Sequence, residues 1–291
     1  MPVKDELGTR MKEFYEGVPK TRLVRRMPVA IRLDGKAFHT FTRGFQKPFD
    51  EVLGESMRET MKYLCENIQG CVLGYTQSDE ITLILVDYQN LNSCAWFDYE
   101  VQKMCSIAAS MATMAFNKFF TKNVNYFEIT HEYDDTINEY CTTLVNAAEK
   151  GATFDARCFN IPKEEVANLI YCRQLDATRN SIQMVGQANF SHKELQNKSC
   201  NQIQDMLFQE KDINWNDFPT HLKRGSCCIK KDVSVTFSTE NEDGTITTGA
   251  VERPHWEIDL EIPIFKDEGR QYINHRILYD APDEPKIVYI N

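Results

Sequence analysis

The order of the predicted elements over residues 27–161 constrains the fold of this chain most strongly. Alternating or apolar runs bounded by Gly and Pro predict strands, and apolar residues at helical spacing predict helices. The predicted elements are a strand over Met27–Asp34, a helix over Val52–Ile68, strands over Cys71–Tyr75 and Ile81–Asp87, a helix over Asp98–Phe120, and a strand over Phe154–Ile161. This order is that of a ferredoxin-like sheet backed by two helices. The sequence therefore predicts an α+β fold built on an antiparallel sheet.

The remaining segments divide the chain into three predicted regions. Residues 124–151 are acidic and ambiguous, and we interpret them as an insertion. A long helix is predicted over Pro162–Phe190 and a shorter one over Ser191–Gln209. Three strand candidates, Val233–Phe237, Thr245–Val251 and His255–Ile262, predict a hairpin appendage. The predicted regions are a sheet-forming region at 1–162, a helical region at 163–231 and an acidic, strand-rich tail at 232–291.

Composition excludes several classes of protein. A chain with 42% apolar and 26% charged residues is typical of globular proteins rather than of disordered ones. No stretch approaches 18 consecutive apolar residues, which excludes a membrane-spanning helix. The first 26 residues include four acids and no apolar segment, which argues against a secretory signal or a mitochondrial presequence. The ten cysteines include no CxxC pair, so we expect a reduced, cytoplasmic protein with neither a disulfide framework nor a zinc site.

The formal net charge of −10 is distributed unevenly along the chain. Residues 20–47 carry eight basic side chains and a single acid, Asp34, whereas residues 232–291 carry 13 acids and 5 bases. Net charge governs solubility and long-range steering, but a local basic surface governs contact with phosphate. A solvated charged face explains many such clusters, yet it explains poorly a lone aspartate among eight bases. The distribution is therefore compatible with a nucleic-acid partner.

Three carboxylates fall at turns of the predicted sheet. Asp34 ends the first strand beside Gly35, and Asp79 and Glu80 lie between the second and third strands. The first and third strands are neighbours in a ferredoxin-like sheet, so these carboxylates are expected to converge. Grouped carboxylates are costly unless a cation compensates them, and hard oxygen ligands suit Mg²⁺. An ordinary turn or capping role for Asp34 is the alternative interpretation.

The loop that follows the strand aspartate has residues suited to a triphosphate. Gly35 to His39 (GKAFH) can wrap phosphates with backbone amides, although the loop is not a Walker motif. Lys47 and Lys103 are further candidate phosphate contacts, and ordinary surface lysines are the alternative. His39 could equally pack beside Phe38.

Four ordered motifs resemble the tRNA-His guanylyltransferase superfamily. They are RLDGKAFHTFTRGFQKPFD (Arg32–Asp50), GYTQSDE (Gly74–Glu80), FDAR (Phe154–Arg157) and RQLDATRNS (Arg173–Ser181). The resemblance covers about Asp5 to Lys231. It implies a polymerase-like palm in region 1–162, tRNA-binding helices in region 163–231, two Mg²⁺ ions, and nucleotide addition to the 5′ end of tRNA in the 3′–5′ direction. ATP and GTP or other nucleoside triphosphates are the implied substrates, and a homo-oligomer, a tetramer, is implied as well.

The resemblance also implies roles for individual residues. Asp34, Asp79 and the Gly35 carbonyl correspond to metal ligands, and Glu80 corresponds to a companion catalytic acid. The implied nucleotide contacts are Lys36, Ala37, Phe38, His39, Lys47, Ser78 and Lys103. The implied RNA-facing residues are Arg157, Arg173, Arg179, Asn180, Lys193, Lys198, Lys223 and Arg224.

Several positions depart from the eukaryotic tRNA-His enzymes. Thr178 stands where those enzymes have a His, Ser181 replaces the second residue of an Asn-Asn pair, and Ile203 replaces a lysine. Thr76 and Glu100 also replace a more usual Gly and a basic residue. These changes resemble the guanylyltransferase-like branch, which extends truncated tRNA 5′ ends by copying a template. The alternatives are a dedicated tRNA-His guanylyltransferase, a nucleotidyl cyclase, and a metal-free RNA-binding protein.

Overall fold

A computed structural model describes residues 6–131, 135–240 and 246–278. The strands are β1 (Val29–Gly35), β2 (Cys71–Gln77), β3 (Glu80–Leu85), β4 (Phe154–Asn160), β5 (Ser226–Glu240) and β6 (Ile246–Asp259). They form one antiparallel sheet in the order β4-β1-β3-β2-β5-β6. The first four strands have the predicted ferredoxin-like order, and β5 and β6 extend the sheet beyond β2. The predicted α+β fold is confirmed.

Ten α-helices accompany the sheet in the described ranges. They are α1 (Glu6–Met11), α2 (Phe38–Phe41), α3 (Glu51–Asn67), α4 (Val101–Thr130), α5 (Asp135–Lys150), α6 (Lys163–Asn189), α7 (His192–Leu195), α8 (Cys200–Lys211), α9 (Thr220–Arg224) and α10 (Gln271–Ile277). A π-helical turn, Lys12–Glu16, follows α1, and 3₁₀ turns occur at Trp96–Tyr99, Trp215–Asp217 and Asp267–Arg270. No described helix is long and apolar enough to cross a membrane.

The inner strands β1, β2 and β3 are buried on both faces, which accounts for their apolar sequences. Helices α3 and α4 cover one face, where Leu33, Met61 and Phe116 belong to a continuous core. Helix α6 and α10 cover the other face, where Ile84 and Val166 belong to a second cluster. A third apolar cluster joins the end of α6 to α8 and to the turn at Trp215–Asp217. The site described below lies where the end of β1 meets α3 and α6.

The segment at 124–151, interpreted as an insertion, completes the main core in the parts that the structure describes. Helix α4 continues to Thr130, and α5 buries Tyr140, Leu144 and Ala147 against the cluster that covers the sheet. The buried apolar residues of α5 recur at helical spacing, but the acidic residues between them hide this pattern in the sequence.

Four predicted boundaries differ from the structure. The hairpin loop predicted over Thr76–Glu80 contains only Ser78 and Asp79, because Gln77 pairs with Glu80. The predicted helix Ser191–Gln209 is two helices, α7 and α8, separated by a turn. The second and third predicted strands of the tail belong to one strand, β6, which runs through Pro254 and ends at Asp259; Thr245 lies outside the described residues. Strand β5 also spans the predicted boundary between residues 231 and 232.

Candidate active site

Strand pairing brings the predicted metal-binding residues together. Asp34 on β1 lies directly opposite Glu80 on β3, and the backbone N–H of Gly35 donates to the carbonyl of Asp79 at 3.0 Å. The turn that carries Asp79 is therefore tied to the residue that follows Asp34. The predicted convergence of the two aspartates follows from the β1–β3 pairing.

Two residues beside these aspartates have left-handed backbone conformations that side chains other than glycine rarely adopt. Ala37 has φ 56° in the loop after β1, and Ser78 has φ 50° at the first position of the β2–β3 turn. Two-residue hairpin turns place φ > 0 at this position and favour Gly there. Such strain concentrates at functional sites. At Gly35 a side chain is excluded for another reason, since a Cβ would lie 2.3 Å from the ring of Phe38.

The electrostatics of Asp34 and Asp79 favour a bound cation. Burial raises the pKa of Asp79, and the charges of Asp34 and Glu80 raise it further, against an opposing hydrogen bond from Ser78. Neither aspartate forms an ion pair with a lysine or arginine of the described residues. Two uncompensated carboxylates and a backbone carbonyl form a hard oxygen donor set of the kind that Mg²⁺ prefers.

This donor set would fill only part of a coordination shell. The described chain has no group of three His, Cys, Asp or Glu side chains placed to hold a metal. A Mg²⁺ ion usually keeps several waters and binds substrate phosphates besides one or two carboxylates. The residues therefore fit an ion that arrives with a nucleotide.

Glu80 has a different environment from the two aspartates. Its Oε2 atom accepts from Arg32 Nη2 at 2.6 Å and from Arg173 Nη1 at 3.4 Å. Its Oε1 atom is buried and has no hydrogen-bond partner in the described structure. Two guanidinium groups compensate this carboxylate, which agrees with a supporting role better than with a metal-bridging one.

A cavity of about 480 Å³ opens beside Asp79 and is called the Lys47 pocket below. Clefts for small molecules and cofactors usually have volumes of ~300–1,000 Å³. The predicted nucleotide and metal contacts on its wall are Gly35, Ala37, Phe38, His39, Lys47, Ser78 and Asp79. His39 and Lys47 are exposed, whereas the ring of Phe38 packs in the aromatic core against Phe41 and Phe116.

Two predicted nucleotide contacts are not on this wall. The side chain of Lys36 is exposed, and its backbone N–H donates to the carbonyl of Thr153 at 2.8 Å. The part of α4 nearest the end of β1 is at Thr113, whose hydroxyl accepts from the backbone N–H of Phe154, the residue that pairs with Gly35. Lys103 lies ten residues earlier on the same helix, which is about 15 Å at 1.5 Å per residue. Within one chain, the structure does not bring Lys103 to the aspartates.

The predicted RNA-facing residues divide into exposed and inward-facing groups. Those exposed are Arg157, Arg179, Asn180, Lys193 and Lys198. Arg173 instead pairs with Glu80 and Asp176, and only 16% of its side chain is exposed. Lys223 is buried, and its ammonium donates to the carbonyl of Asn216 at 2.5 Å. Arg224 is half-buried, and its carbonyl accepts from Tyr75 Oη at 2.6 Å. Ion pairing and burial therefore remove Arg173 and Lys223 from the surface that an RNA would contact.

The basic segment 20–47 is also split by the fold. Arg22 and Arg25 pair with Asp98, and Arg26 donates to the carbonyls of Asp87 and Leu91. These groups lie before β1, whereas Lys47 and the other later bases follow it, and the seven residues of β1 span roughly 20 Å at 3.3 Å per residue. Only the later part of the segment is near the candidate site.

Sequence reasoning missed a second, smaller cavity beside the first. This cavity of about 120 Å³ lies between α3, the β2–β3 turn, α6 and α9. It shares Asp50, Leu53, Ser78 and Met184 with the Lys47 pocket. Asp50 could have been identified from the sequence as the N-cap of α3, where its carboxylate accepts from the backbone N–H of Leu53 at 2.9 Å. His221 lies in a short helix near Pro219, and no sequence motif distinguishes it.

Comparison with known proteins places the chain in a family. The model of the tRNA-His guanylyltransferase (Thg1) family matches residues 8–162. A bacterial tRNA-His guanylyltransferase (Thg1)-like protein solved with ATP is 38% identical, with a TM-score of 0.74 over 94% of this chain and 99% of that one. A complex with GTP of a protein so described is 37% identical, with a TM-score of 0.70 over 94% of this chain and 100% of that one. A probable tRNA-His guanylyltransferase of Dictyostelium discoideum is 26% identical over 74% of this chain and 79% of its own length. The family match covers more than half of the chain, which therefore belongs to the tRNA-His guanylyltransferase family of nucleotidyltransferases.

Proposed function

We propose that this enzyme adds nucleotides to the 5′ end of tRNA in the 3′–5′ direction by copying a template, and so repairs truncated ends. One observation supports the template-dependent activity over a dedicated tRNA-His activity. At three positions where the chain departs from the tRNA-His enzymes, Ser181 and Ile203 are buried in the helical region, and the hydroxyl of the half-buried Thr178 bonds within α6.

The contacts of these three residues are internal. The Thr178 hydroxyl donates to the carbonyl of Gln174 at 3.0 Å, within α6. Ser181 is buried and accepts from Trp215 Nε1 at 3.0 Å. Ile203 is 4% exposed in the apolar cluster between α6 and α8. A histidine at 178 and a lysine at 203 would add long polar side chains to the RNA-facing helices, and this chain has neither. The remaining exposed bases would position an RNA through its phosphates without reading its sequence.

The proposed reaction has two nucleotidyl-transfer steps at one site. In the first, a 5′-phosphate oxygen of the RNA attacks the α-phosphorus of ATP, and pyrophosphate leaves. In the second, the 3′ hydroxyl of a nucleoside triphosphate attacks the activated 5′ phosphorus, and AMP leaves. An RNA with a 5′-triphosphate omits the first step, because pyrophosphate is already present as the leaving group.

The chain's residues have distinct proposed roles in these steps. Asp34, Asp79 and the Gly35 carbonyl would hold Mg²⁺, which when bound lowers the pKa of the attacking hydroxyl and neutralises charge on the leaving phosphate. Lys47 would contact the triphosphate as a point charge. The fit of Asp34 and Asp79 to a cation supports these roles, and so do the ATP and GTP complexes of the bacterial proteins.

The test uses three truncated tRNAs, tRNA-His and two unrelated species, with each of the four triphosphates offered singly. We expect all three to be extended at comparable rates, each with the base that pairs with its 3′-side partner. A strong preference for tRNA-His, with G added whatever the opposing base, would contradict the proposal and indicate a dedicated guanylyltransferase. Cyclised nucleotides without RNA extension would indicate a cyclase, and RNA binding without any product would indicate a non-catalytic protein.

We also propose that the protein is cytoplasmic and forms a homo-oligomer, a tetramer, on the basis of the family resemblance. Light scattering after size-exclusion chromatography measures the oligomeric state directly. A monomer at micromolar concentration would contradict that part of the proposal.

A further inference from the structure

Two cysteines that the proposed reaction does not use lie in contact beside the sheet. Cys105 is in the second turn of α4 and Cys158 is on β4, and the thiol of Cys105 donates to Sγ of Cys158 at 3.5 Å. Strand β4 lies at one edge of the sheet and pairs with β1, where Ile31 is opposite Cys158. The contact therefore joins a helix that covers the sheet to its edge strand, next to the strand that carries Asp34.

The surroundings of this pair differ from those of the other grouped cysteines. Cys65 lies beside Cys71 and Cys228, but all three are buried in the apolar core that covers the sheet. Cys105 and Cys158 are both half-buried. A small polar molecule from solvent can therefore reach the Cys105–Cys158 pair more readily than it can reach the buried group.

A disulfide between Cys105 and Cys158 needs little movement. Bonded sulfur atoms lie about 2.05 Å apart, so the two Sγ atoms must approach by roughly 1.5 Å. Small changes in the two χ1 angles can supply this approach. Helix α4 and β4 are already held together, since the backbone N–H of Phe154 donates to the hydroxyl of Thr113 at 3.1 Å. The bond can therefore form between elements that stay in place.

The hydrogen bonds of Cys158 direct a lone pair of its sulfur toward Cys105. The Cys158 thiol donates to the carbonyl of Val101 at 3.8 Å, and its sulfur accepts from Cys105. Burial, and then the hydrogen bond with Cys105, raise the pKa of the Cys158 thiol to about 12, so this thiol keeps its proton at neutral pH. Thiolates react with oxidants much faster than thiols do. We therefore assign the first reaction with an oxidant to Cys105.

We propose that Cys105 and Cys158 are an oxidation site, at which a peroxide forms a reversible disulfide. In the first step the Cys105 sulfur attacks one peroxide oxygen, the O–O bond breaks and water leaves, which gives a sulfenic acid. In the second step the Cys158 sulfur attacks the Cys105 sulfur, the S–O bond breaks, and a second water leaves with the Cys158 proton. Two thiols are oxidised, and one peroxide is reduced to two waters. The contact between the sulfurs supplies the proximity that favours the second step.

The disulfide would close a loop between two positions that are 53 residues apart. A cross-link stabilises a protein chiefly by restricting its unfolded chain, and longer loops give larger effects. We therefore expect oxidation to raise the thermal midpoint by roughly 5–10 °C. Asp34 lies further along β1 than Ile31, by about 10 Å at 3.3 Å per residue. The cross-link would therefore stabilise the sheet under oxidising conditions and leave nucleotide addition intact.

The test compares the wild-type protein after hydrogen peroxide with the same sample after dithiothreitol. We expect peroxide to lower the intact mass by two hydrogens, to give a Cys105–Cys158 peptide in a non-reducing digest, and to raise the thermal midpoint. Dithiothreitol should reverse all three changes. The variants Cys105→Ser and Cys158→Ser should show neither the linked peptide nor the rise. The matched control is Cys172→Ser, which changes an exposed cysteine on α6 and should respond as the wild type does.

Three results would contradict parts of this inference. Oxidation of Cys94 or Cys172, with Cys105 and Cys158 left unlinked, would overturn the assignment of the site. A linked protein with an unchanged thermal midpoint would refute the stabilisation. A linked protein that loses the nucleotide addition of its reduced form would show that the disulfide disturbs the catalytic site. The comparison of oxidised with reduced wild type involves no substitution, so a variant that fails to fold does not prevent the test.

Discussion

Replacing Arg173 with methionine tests whether this residue supports the site or contacts RNA. Arg173 joins helix α6 to the β2–β3 hairpin through Glu80 at 3.4 Å and pairs with Asp176 at 2.5 Å. The side chains of Arg173 and Glu80 are only 16% and 8% exposed, so solvent screens this contact weakly. Methionine keeps an apolar stem of similar length and removes the donors, which limits the loss of packing.

The expected cost of the Arg173→Met change follows from the contacts that remain. Removing one partner of a fully buried ion pair costs about 3–5 kcal/mol. Glu80 keeps Arg32 at 2.6 Å, and Asp176 keeps Arg179, so neither acid is left alone. We therefore expect a loss of about 2–3 kcal/mol in the free energy of unfolding, which is the range of one or two charge-assisted hydrogen bonds. For a chain of this size the thermal midpoint should fall by roughly 5 °C.

The assay is urea unfolding of the apo protein, with tRNA filter binding at two salt concentrations. The matched control is Arg179→Met on the same helix, whose side chain is 60% exposed. Its stability should change by less than about 0.5 kcal/mol, while its tRNA affinity falls and the salt dependence decreases by about one unit of slope. The reasoning about Arg173 is refuted if Arg173→Met unfolds at the wild-type urea concentration and binds tRNA more weakly.

Five further changes test other parts of the site. Asp34→Ala and Asp79→Ala should each abolish nucleotide addition with the fold intact by circular dichroism, and near wild-type turnover by either would contradict the metal assignment. Asp79→Asn should stabilise the apo protein, because burial and the charges of Asp34 and Glu80 raise the pKa of Asp79 and make its ionisation unfavourable to folding. The folded state then binds the proton more tightly than the unfolded state, so the wild type loses stability as the pH rises through the folded pKa of Asp79. The free energy of unfolding of Asp79→Asn should therefore exceed that of the wild type at neutral pH and equal it below the ordinary pKa range of aspartate. A difference that does not depend on pH would refute this prediction. Lys47→Ala should weaken nucleotide use by about 1–3 kcal/mol and leave tRNA filter binding nearly unchanged, whereas the reverse pattern would place Lys47 on the RNA. Ser181→Ala removes the acceptor of the Trp215 indole and should cost about 1–3 kcal/mol without altering which tRNAs are extended; a changed tRNA range would assign Ser181 to recognition.

Element order was sufficient to predict the pairing of β1 with β3, and with it the proximity of Asp34 to the hairpin acids. Register was not predictable to the last residue. Ser78 and Asp79 form a two-residue turn without glycine, so the sequence has no strong signal for so tight a loop. Extending the pairing to Gln77 and Glu80 makes Glu80 a strand residue, and Arg32 and Arg173 then hold its carboxylate. The different environments of Asp79 and Glu80 therefore depend on whether the β2–β3 pairing includes Gln77 and Glu80.

Helix α4 shows why the buried face of a long helix is hard to predict from large apolar residues. The large apolar residues of this helix include Ile107 and Phe119, but Ile107 is 36% exposed and Phe119 is half-buried. The fully buried positions include Ala112, Phe116 and Phe120. An alanine adds little apolar signal to a pattern, although its small side chain permits close packing against neighbouring elements.

Charge along a chain predicts an RNA surface only when the basic side chains remain exposed after folding. Arg173 and Arg179 lie six residues apart in one motif, and both are arginines beside Asp176. The fold places Glu80 next to Arg173 and leaves Arg179 mostly in solvent. Glu80 is far away in sequence, and only the packing of α6 against the sheet determines which of the two it neutralises. Arg22 and Arg25 share the single carboxylate of Asp98, away from the candidate site, so their charge is partly compensated there. A phosphate-binding surface is therefore sought first among the bases that remain exposed after folding, and Lys47, on the wall of the pocket that Asp79 also lines, is such a base at the candidate site.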